Sequence, residues 1–159
     1  MKLYHGSTVI VEQPRILTDL RALDFGSGFY LTSNEEQAKR WSKVVARRRR
    51  TTKSFLNIYE LDDSYNDVLR TLLFSAADGE WLDFVVANRK EQIMFVPYDL
   101  VIGSVANDST LPVIDDYMDG KYTKEEAVRR LMPQNLTDQY AFLTEQALEL
   151  LRFEEGVAV

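Results

Sequence analysis

Two glycines at positions 26 and 28 flank a serine and lead into the strand-like segment Phe29–Leu31. A dinucleotide-binding fold needs a third glycine at fixed spacing and a helix that follows the glycine-rich loop directly. Neither is present here, because the next helix-start pattern comes only after the strand, at residues 33–36. Strand and helix patterns also alternate irregularly along the chain. The sequence therefore disfavours a Rossmann domain and predicts a mixed α+β domain.

The length of the chain, 159 residues, suits one domain with its own core. Hydrophobic residues make up 45% and charged residues 28%, a profile typical of a soluble globular protein. No apolar run approaches the ~18 residues that a membrane span requires. The N-terminus has no apolar signal region. We therefore expect a cytoplasmic protein that makes no membrane contact.

Two scarce residue types limit the chemistry. The chain has no cysteine, which excludes disulfides, thiolate zinc sites and cysteine nucleophiles. It has a single histidine, His5, which leaves no room for a multi-histidine metal site. We therefore predict no metal centre.

Charge is unevenly distributed along the chain. The formal net charge is −6, so the molecule as a whole is not expected to attract nucleic acid. Residues 39–53 nevertheless contain eight basic side chains and no acidic one, including Arg47, Arg48, Arg49 and Arg50. This run is either a solvated loop or a contact for the diphosphate of a ligand, a nucleic acid or an acidic partner. No aromatic residue stands among the four arginines, so the nucleic-acid signal is weak.

Periodicity and capping signals place the main elements. Strands are predicted over residues 2–7, 29–31, 54–61, 100–106, 137–143 and 153–159. Helices are predicted from Ser33 or Asn34 to the basic run, over residues 79–90 and 113–117, after Thr123, and over residues 144–151. The apolar face of the first helix is predicted to consist of Ala38, Trp41, Val44 and Val45. Residues 16–24 fit a helix or a loop, and residues 67–74 fit a strand or a helix.

Two short motifs at the start of the chain resemble those of the ADP-ribosyltransferase superfamily, on its histidine–tyrosine–glutamate branch. They are His5-Gly6-Ser7 and Phe25-Gly26-Ser27-Gly28-Phe29-Tyr30. The chain as a whole is most similar to a family of small uncharacterised bacterial proteins in that superfamily. That likeness includes Trp81-Leu82-Asp83-Phe84 and Tyr98-Asp99-Leu100-Val101-Ile102-Gly103. It covers nearly the whole chain.

The resemblance implies a split, strongly bent β-sheet and NAD as co-substrate. His5 would bind the adenosine-side ribose, Gly6 would pair through its backbone with the nicotinamide amide, and Ser7 would lie beside the ribose. Gly28 would help to form the bend that leads to Tyr30. Tyr30 would stack on the nicotinamide ring, with Trp41 on the other face of that ring. A core-packing role for either aromatic residue is the simpler alternative.

The third catalytic position departs from the family pattern. The segment Asp138-Gln139-Tyr140 places Gln139 where the superfamily has a glutamate. A glutamine can hydrogen-bond ribose hydroxyls, but it has no charge and cannot act as a base. Glu145 is the candidate substitute, although it is expected on the following helix. Asp138 is expected to point to the opposite face of the sheet from Gln139.

The resemblance favours an NAD-dependent mono-ADP-ribosyltransferase that modifies a protein or nucleic acid. His5, Tyr30 and Gln139 are its predicted catalytic residues. By analogy with its relatives, such a protein would be the toxin of a bacterial toxin–antitoxin pair, with an antitoxin protein as partner. Two alternatives stay open at this point. One is an NAD- or ADP-ribose-binding module without turnover, and the other is an interaction protein that uses the four arginines.

Overall fold

The computed structural model describes residues 1–16, 24–90, 97–106, 109–132 and 136–159. Within these ranges the strands are β1 (Lys2–Ser7), β2 (Phe29–Leu31), β3 (Phe55–Leu61), β4 (Thr71–Leu73), β5 (Leu100–Ser104), β6 (Asp138–Phe142) and β7 (Leu151–Ala158). The helices are α1 (Glu35–Arg48), α2 (Tyr65–Val68), α3 (Gly79–Arg89), α4 (Leu111–Met118), α5 (Lys124–Leu131) and α6 (Glu145–Leu148).

The strands form two sheets that meet at one edge. The first sheet has the order β1-β3-β7 and is antiparallel. The second has the order β2-β6-β5-β4, in which β4 and β5 are parallel and the other neighbours are antiparallel. A backbone bridge between Tyr4 and Thr32 connects β1 to the end of β2. The predicted α+β class is confirmed.

The second sheet is covered on both faces, which explains the alternation along β6. Tyr140 and Phe142 point into a core that also contains Leu3 and Tyr59 of the first sheet. Ala141, between them, points to the other face and joins a core formed with the helices. That second core contains Trp81, Leu82 and Val85 of α3, Ile114 of α4, and Ala127 and Leu131 of α5. Residues of β6 therefore belong alternately to an inter-sheet core and a helical core.

Helix α1 packs against β1 with small residues, and here the predicted apolar face is partly wrong. Its buried residues are Ala38, Ser42 and Ala46, whereas Trp41 is 44% exposed. A Cβ atom added to Gly6 would lie 2.1 Å from the carbonyl oxygen of Ala38. The helix backbone approaches the strand so closely that only small side chains fit between them. The hydrophobic pattern did not reveal this, because it scores large residues as the buried ones.

Most other predicted elements are confirmed, with shifted ends. Asn34 caps α1 by accepting a hydrogen bond from the N–H of Gln37, and Thr123 caps α5 in the same way from Glu126. Helix α6 ends at Leu148, three residues earlier than predicted, since β7 already begins at Leu151. The ambiguous segment 67–74 contains the end of α2 and all of β4. Most of the ambiguous segment 16–24 lies outside the described residues.

No helix in the described ranges combines the length and the apolar character that crossing a membrane would require.

Candidate functional site

The ladder between β1 and β2 stops after one bridge. Tyr4 donates its N–H to the carbonyl of Thr32 at 2.8 Å and accepts from the N–H of Thr32 at 2.9 Å. Continuing the antiparallel pairing would place Gly6 opposite Tyr30, because each lies two residues further from the bridge. No backbone hydrogen bond joins Gly6 and Tyr30. The two strands therefore open into a split at the two residues that the sequence motifs singled out.

Backbone alternation shows which groups face this split. The two backbone polar groups of one strand residue point to the same side, and the side alternates along the strand. Tyr4 directs both groups away from β3 toward Thr32, so Gly6 also directs its N–H and C=O away from β3. The same reasoning turns the N–H and C=O of Tyr30 away from β6. The split is thus lined by a peptide donor and acceptor from each strand.

The imidazole ring of His5 spans the split. Its Nδ1 lies 2.8 Å from the carbonyl oxygen of Tyr30, the group that a continued ladder would pair with Gly6. Because a carbonyl only accepts, Nδ1 carries the proton and Nε2 keeps its lone pair. The ring also lies 4.3 Å, between centroids, from the ring of Phe29. Burial lowers the pKa of His5, and the hydrogen bond to Tyr30 offsets this only in part. His5 is therefore a neutral acceptor near neutral pH.

The phenol of Tyr30 closes the loop that precedes β2. Its hydroxyl donates to the carbonyl of Gly26 at 2.6 Å and accepts from the N–H of Phe25 at 3.0 Å. Its ring stacks on Phe25, with centroids 6.5 Å apart. Burial raises the pKa of Tyr30, so the phenol stays protonated. The Tyr30 side chain thus fixes the loop, while the backbone carbonyl of Tyr30 accepts the hydrogen bond from His5.

The other end of this loop is fixed by an ion pair that the sequence reading missed. Arg89 in the last turn of α3 donates to Asp24 through Nη2 at 2.6 Å and through Nε at 2.9 Å. Asp24 also accepts from the N–H of Ala106 at 3.4 Å. Asp24 stands directly before Phe25-Gly26, but no sequence pattern pairs an acid there with an arginine 65 positions further along the chain.

Gln139 is buried and lacks a partner for its donor. It is 7% exposed and lies on the same face of β6 as Ala141. Among the described residues its Nε2 has no hydrogen-bond partner. A buried donor without a partner destabilises the folded state by about 1–3 kcal/mol. Such an atom needs an explanation in a folded protein, and an oxygen of a bound ligand is one.

The two carboxylates considered as substitutes for glutamate lie elsewhere. Asp138 accepts from the hydroxyl of Thr32 at 3.0 Å and from the N–H of Ser33 at 2.8 Å. It also accepts from the Ser33 hydroxyl. As predicted, it does not share the face of Gln139. Glu145 is the first residue of α6 and is exposed.

Gly28 and Ser7 occupy confined positions beside the split. A Cβ atom on Gly28 would lie 2.6 Å from the carbonyl oxygen of Phe142, so this residue lets the loop approach β6. Ser7 is 8% exposed, and its hydroxyl accepts from the N–H of Val9 at 3.4 Å. Their roles toward a ligand stay predictions.

Trp41 lies on the exposed side of α1. The guanidinium carbon of Arg48 lies 5.1 Å from the centre of the Trp41 ring. The ring of Tyr30 stacks on Phe25, and the stacking roles of Tyr30 and Trp41 toward a nicotinamide ring stay predictions. Arg49 donates from Nη1 to the hydroxyl of Thr8 at 3.0 Å.

Two surface cavities are formed by described residues away from the split. One of about 400 Å³ lies between α1 and the C-terminal half of β7. Another of about 530 Å³ lies between the start of α3 and α5. Neither is lined by His5, Tyr30 or Gln139. In the described part of the chain, no three acidic or histidine side chains are grouped to hold a metal ion.

The fold and the split together define a class of α+β protein in which two sheets meet at one backbone bridge and separate beside a neutral histidine. The chain belongs to the family described as "Protein of unknown function (DUF3990)", which matches residues 1–153. No curated protein and no solved structure matches the chain. The family description assigns no activity.

Proposed function

We propose that the chain binds NAD⁺ at the split between β1 and β2 and transfers ADP-ribose from it to a macromolecule, with release of nicotinamide. The observation that carries this proposal is the interrupted ladder at Gly6 and Tyr30, with the His5 ring fixed across it by the 2.8 Å hydrogen bond. A strand edge with free peptide groups beside a neutral imidazole is suited to a ligand that carries both an amide and hydroxyl groups.

Gly6 and His5 supply complementary binding groups. The N–H and C=O of Gly6 leave the same side of β1, so one planar carboxamide would pair with both. His5 has its Nδ1–H engaged with Tyr30, which leaves Nε2 to accept a hydrogen bond from a ribose hydroxyl. Fixing the tautomer in this way orients the ring before a ligand binds.

The amide of Gln139 supports a polar ligand. Its Nε2 is buried without a partner in the described part of the chain, and a ligand oxygen would satisfy it. The loop that carries Tyr30 is fixed at one end by its own phenol and at the other by the Asp24–Arg89 ion pair. The groups that would hold NAD⁺ are therefore His5 and Gly6 on β1 and Gln139 on β6, and the loop that leads to Tyr30 is fixed at both ends.

The chemistry follows from the charges at the split. In NAD⁺ the nicotinamide ring carries a positive charge. Cleavage of its bond to the ribose releases nicotinamide as a neutral molecule, with the electron pair of that bond, and leaves the positive charge on the ribose. His5 is neutral, Tyr30 is protonated and Gln139 has no charge, so these residues supply no anion to that charge. The missing electrostatic partner would lower the rate by about 10²–10³-fold. An acceptor that is already a good nucleophile would compensate.

A binding module without turnover is the second candidate. It is favoured by the engagement of Asp138 with Ser33 and Thr32 and by the exposed position of Glu145 on α6. Nicotinamide release separates the two candidates, because a binding module would retain NAD⁺ without releasing nicotinamide.

The proposal extends to a biological role by resemblance alone. A small transferase of this kind would act as the toxin of a toxin–antitoxin pair and would be held inactive by an antitoxin protein. Induced expression in bacteria tests the toxin role. Wild-type protein should arrest growth and His5→Ala should not, whereas equal growth with both would remove the toxin role.

The transferase reaction is tested with labelled NAD⁺. We expect purified protein to label a macromolecule in bacterial lysate and to release nicotinamide, and His5→Ala to lose both activities. Gln139→Glu should increase the release of nicotinamide. Arg152→Ala, a change on the exposed strand β7, is the control and should match wild type. Absence of labelling together with no gain in Gln139→Glu would remove the transferase proposal.

A further inference from the structure

We propose that an exposed surface on the C-terminal half of α1 binds single-stranded nucleic acid. This surface, called the Trp41 surface below, consists of Trp41 and Arg48 on one flank of the helix together with Arg47, Arg49 and Arg50, which are exposed around the end of the helix. The idea that the bound strand accepts ADP-ribose rests on the proposed function. The binding of the strand is independent of that function.

No aromatic residue stands among the four arginines in the sequence, but the helix brings the ring of Trp41 next to one of them. Trp41 precedes the four arginines by six residues, but helical geometry brings it beside Arg48, seven positions on. The Arg48 guanidinium lies 5.1 Å from the ring centre, and the residue is still 44% exposed. An exposed indole beside a planar guanidinium is a platform on which an unpaired base stacks.

The positive charges of the four arginines are not neutralised within the described part of the chain. Arg47, Arg48, Arg49 and Arg50 are all exposed, and none forms an ion pair with a described carboxylate. The residues between Lys39 and Lys53 include no acid. The chain carries a net charge of −6, so this local concentration of positive charge contrasts with the rest of the molecule. Phosphate groups are its complement in charge and in hydrogen-bonding geometry.

Arg50 occupies a position where helices normally place glycine. Its φ is 53°, in the left-handed region. The N–H of Thr51 bonds to the carbonyl of Ala46, and the N–H of Arg50 to that of Arg47, which is the hydrogen-bond pattern of a glycine-ended helix. An arginine there is strained relative to glycine. The presence of arginine at this position is explained if the surface needs a fourth positive charge to bind its ligand.

The Trp41 surface lies next to the split. Ala38 and Ser42 of α1 pack over Gly6, and Trp41 is the residue before Ser42. At the other end, Arg49 donates to Thr8, two residues after Gly6. A strand that followed the arginines and stacked on Trp41 would therefore pass close to the groups proposed to hold NAD⁺.

An acidic polypeptide is the competing occupant. Val9 and Ile10 are 53% and 47% exposed and directly follow Thr8, so a protein partner would find apolar contacts there. The exposed indole beside Arg48 favours nucleic acid, because a base offers a flat ring of matching shape and a phosphate for each neighbouring arginine. The test therefore includes poly-glutamate as a competitor.

Binding is measured without NAD⁺, so its outcome is independent of the proposed reaction. Labelled oligo(U) and oligo(dT) of about 20 nucleotides are titrated by fluorescence anisotropy, with a duplex of equal length for comparison. Intrinsic fluorescence gives a second readout, because the chain has two tryptophans and Trp81 is 0% exposed. Quenching on titration therefore reports on Trp41.

We expect saturable binding of single strands in preference to duplex, with quenching of Trp41. Affinity should fall about tenfold or more between about 50 and 200 mM salt. Trp41→Ala should weaken binding about tenfold and Trp41→Phe much less. The matched control is Arg130→Ala, which removes an arginine that lies 4.4 Å from the ring of Tyr122 but is also paired with Glu126. It should bind as wild type does.

Three results would overturn the proposal. They are the absence of saturable binding at low salt, unchanged affinity in Trp41→Ala, and displacement by poly-glutamate as effective as displacement by unlabelled oligonucleotide. The last result would assign the surface to an acidic protein. Tighter binding of oligo(U) than of oligo(dT) would identify RNA as the ligand, and the reverse would identify DNA.

Discussion

The imidazole of His5 donates to the backbone carbonyl of Tyr30 across a distance of 2.8 Å, at the point where the two sheets separate. This contact occupies the acceptor that would otherwise continue the β1–β2 ladder. It links the two motifs that stand 25 residues apart in the sequence. The contact fixes one ring nitrogen and leaves the other available, which is the basis of the proposed NAD⁺ site.

A pH dependence follows from the environment of His5. Burial places its pKa below the usual 6.5, so the unfolded chain binds a proton at a higher pH than the folded chain. The contribution of His5 to stability is therefore complete above pH 6.5 and is lost as the pH falls through the pKa of the folded state. We expect His5→Gln to remove this part of the pH dependence, measured by urea unfolding at a series of pH values. Parallel curves for the two proteins would contradict it.

Gly6→Ala should destabilise the fold. The added Cβ atom would lie 2.1 Å from the carbonyl oxygen of Ala38 and 2.8 Å from the nitrogen of Ser42, both backbone atoms of α1. The helix would have to move away, at a cost of about 1–3 kcal/mol in the free energy of unfolding. Gly79→Ala is the control, because its Cβ would meet only the flexible Lys124 side chain. Equal stabilities of the two variants in urea would show that α1 is not tightly packed on β1.

Arg50→Gly should stabilise the fold by about 1 kcal/mol, because glycine adopts the left-handed conformation without strain. The same change in the interior of α1, Arg40→Gly, should destabilise it by about 1 kcal/mol. Thermal unfolding of both variants checks the contrast. A loss of stability in Arg50→Gly would mean that the arginine side chain stabilises the helix end, and the functional explanation for its presence would lose its support.

Gln139→Leu should also raise stability, by about 1 kcal/mol, because it replaces a buried donor that has no partner with an apolar side chain. The neighbours Val101 and Ala141 on the same sheet face favour the substitution. The stabilisation that NAD⁺ gives to wild-type protein in thermal unfolding should be smaller in this variant. A destabilised Gln139→Leu would indicate that the amide makes a contact in the folded state.

The elements of the fold were largely predictable from the sequence, because capping residues and apolar periodicity act locally. Helices were predicted to begin after Ser33 or Asn34 and after Thr123, and Asn34 and Thr123 cap them. The packing of α1 was not predictable in the same way. The residues that α1 buries are small because the backbone of β1 approaches the helix closely. The approach is at Gly6, which stands 32 residues before its contact Ala38 in the sequence.

The candidate site was predictable where two motifs carry it and not where it depends on distant partners. His5, Gly6 and Tyr30 were identified from sequence, and the structure brings them together at the split. The resemblance implied that Trp41 stacks on the nicotinamide face opposite Tyr30, and in the structure its side chain lies on the exposed flank of α1 next to Arg48. The Asp24–Arg89 pair has no local pattern, because neither residue is unusual for its position in the chain.

The central claim is that the split binds NAD⁺ through His5 and Gly6, and titration calorimetry with NAD⁺ tests it most directly. Wild-type protein should show saturable binding, His5→Ala should bind at least about tenfold more weakly after loss of one hydrogen bond and its orienting contact, and Arg152→Ala should match wild type. No heat of binding to wild-type protein, or equal affinity in wild type and His5→Ala, would contradict the account.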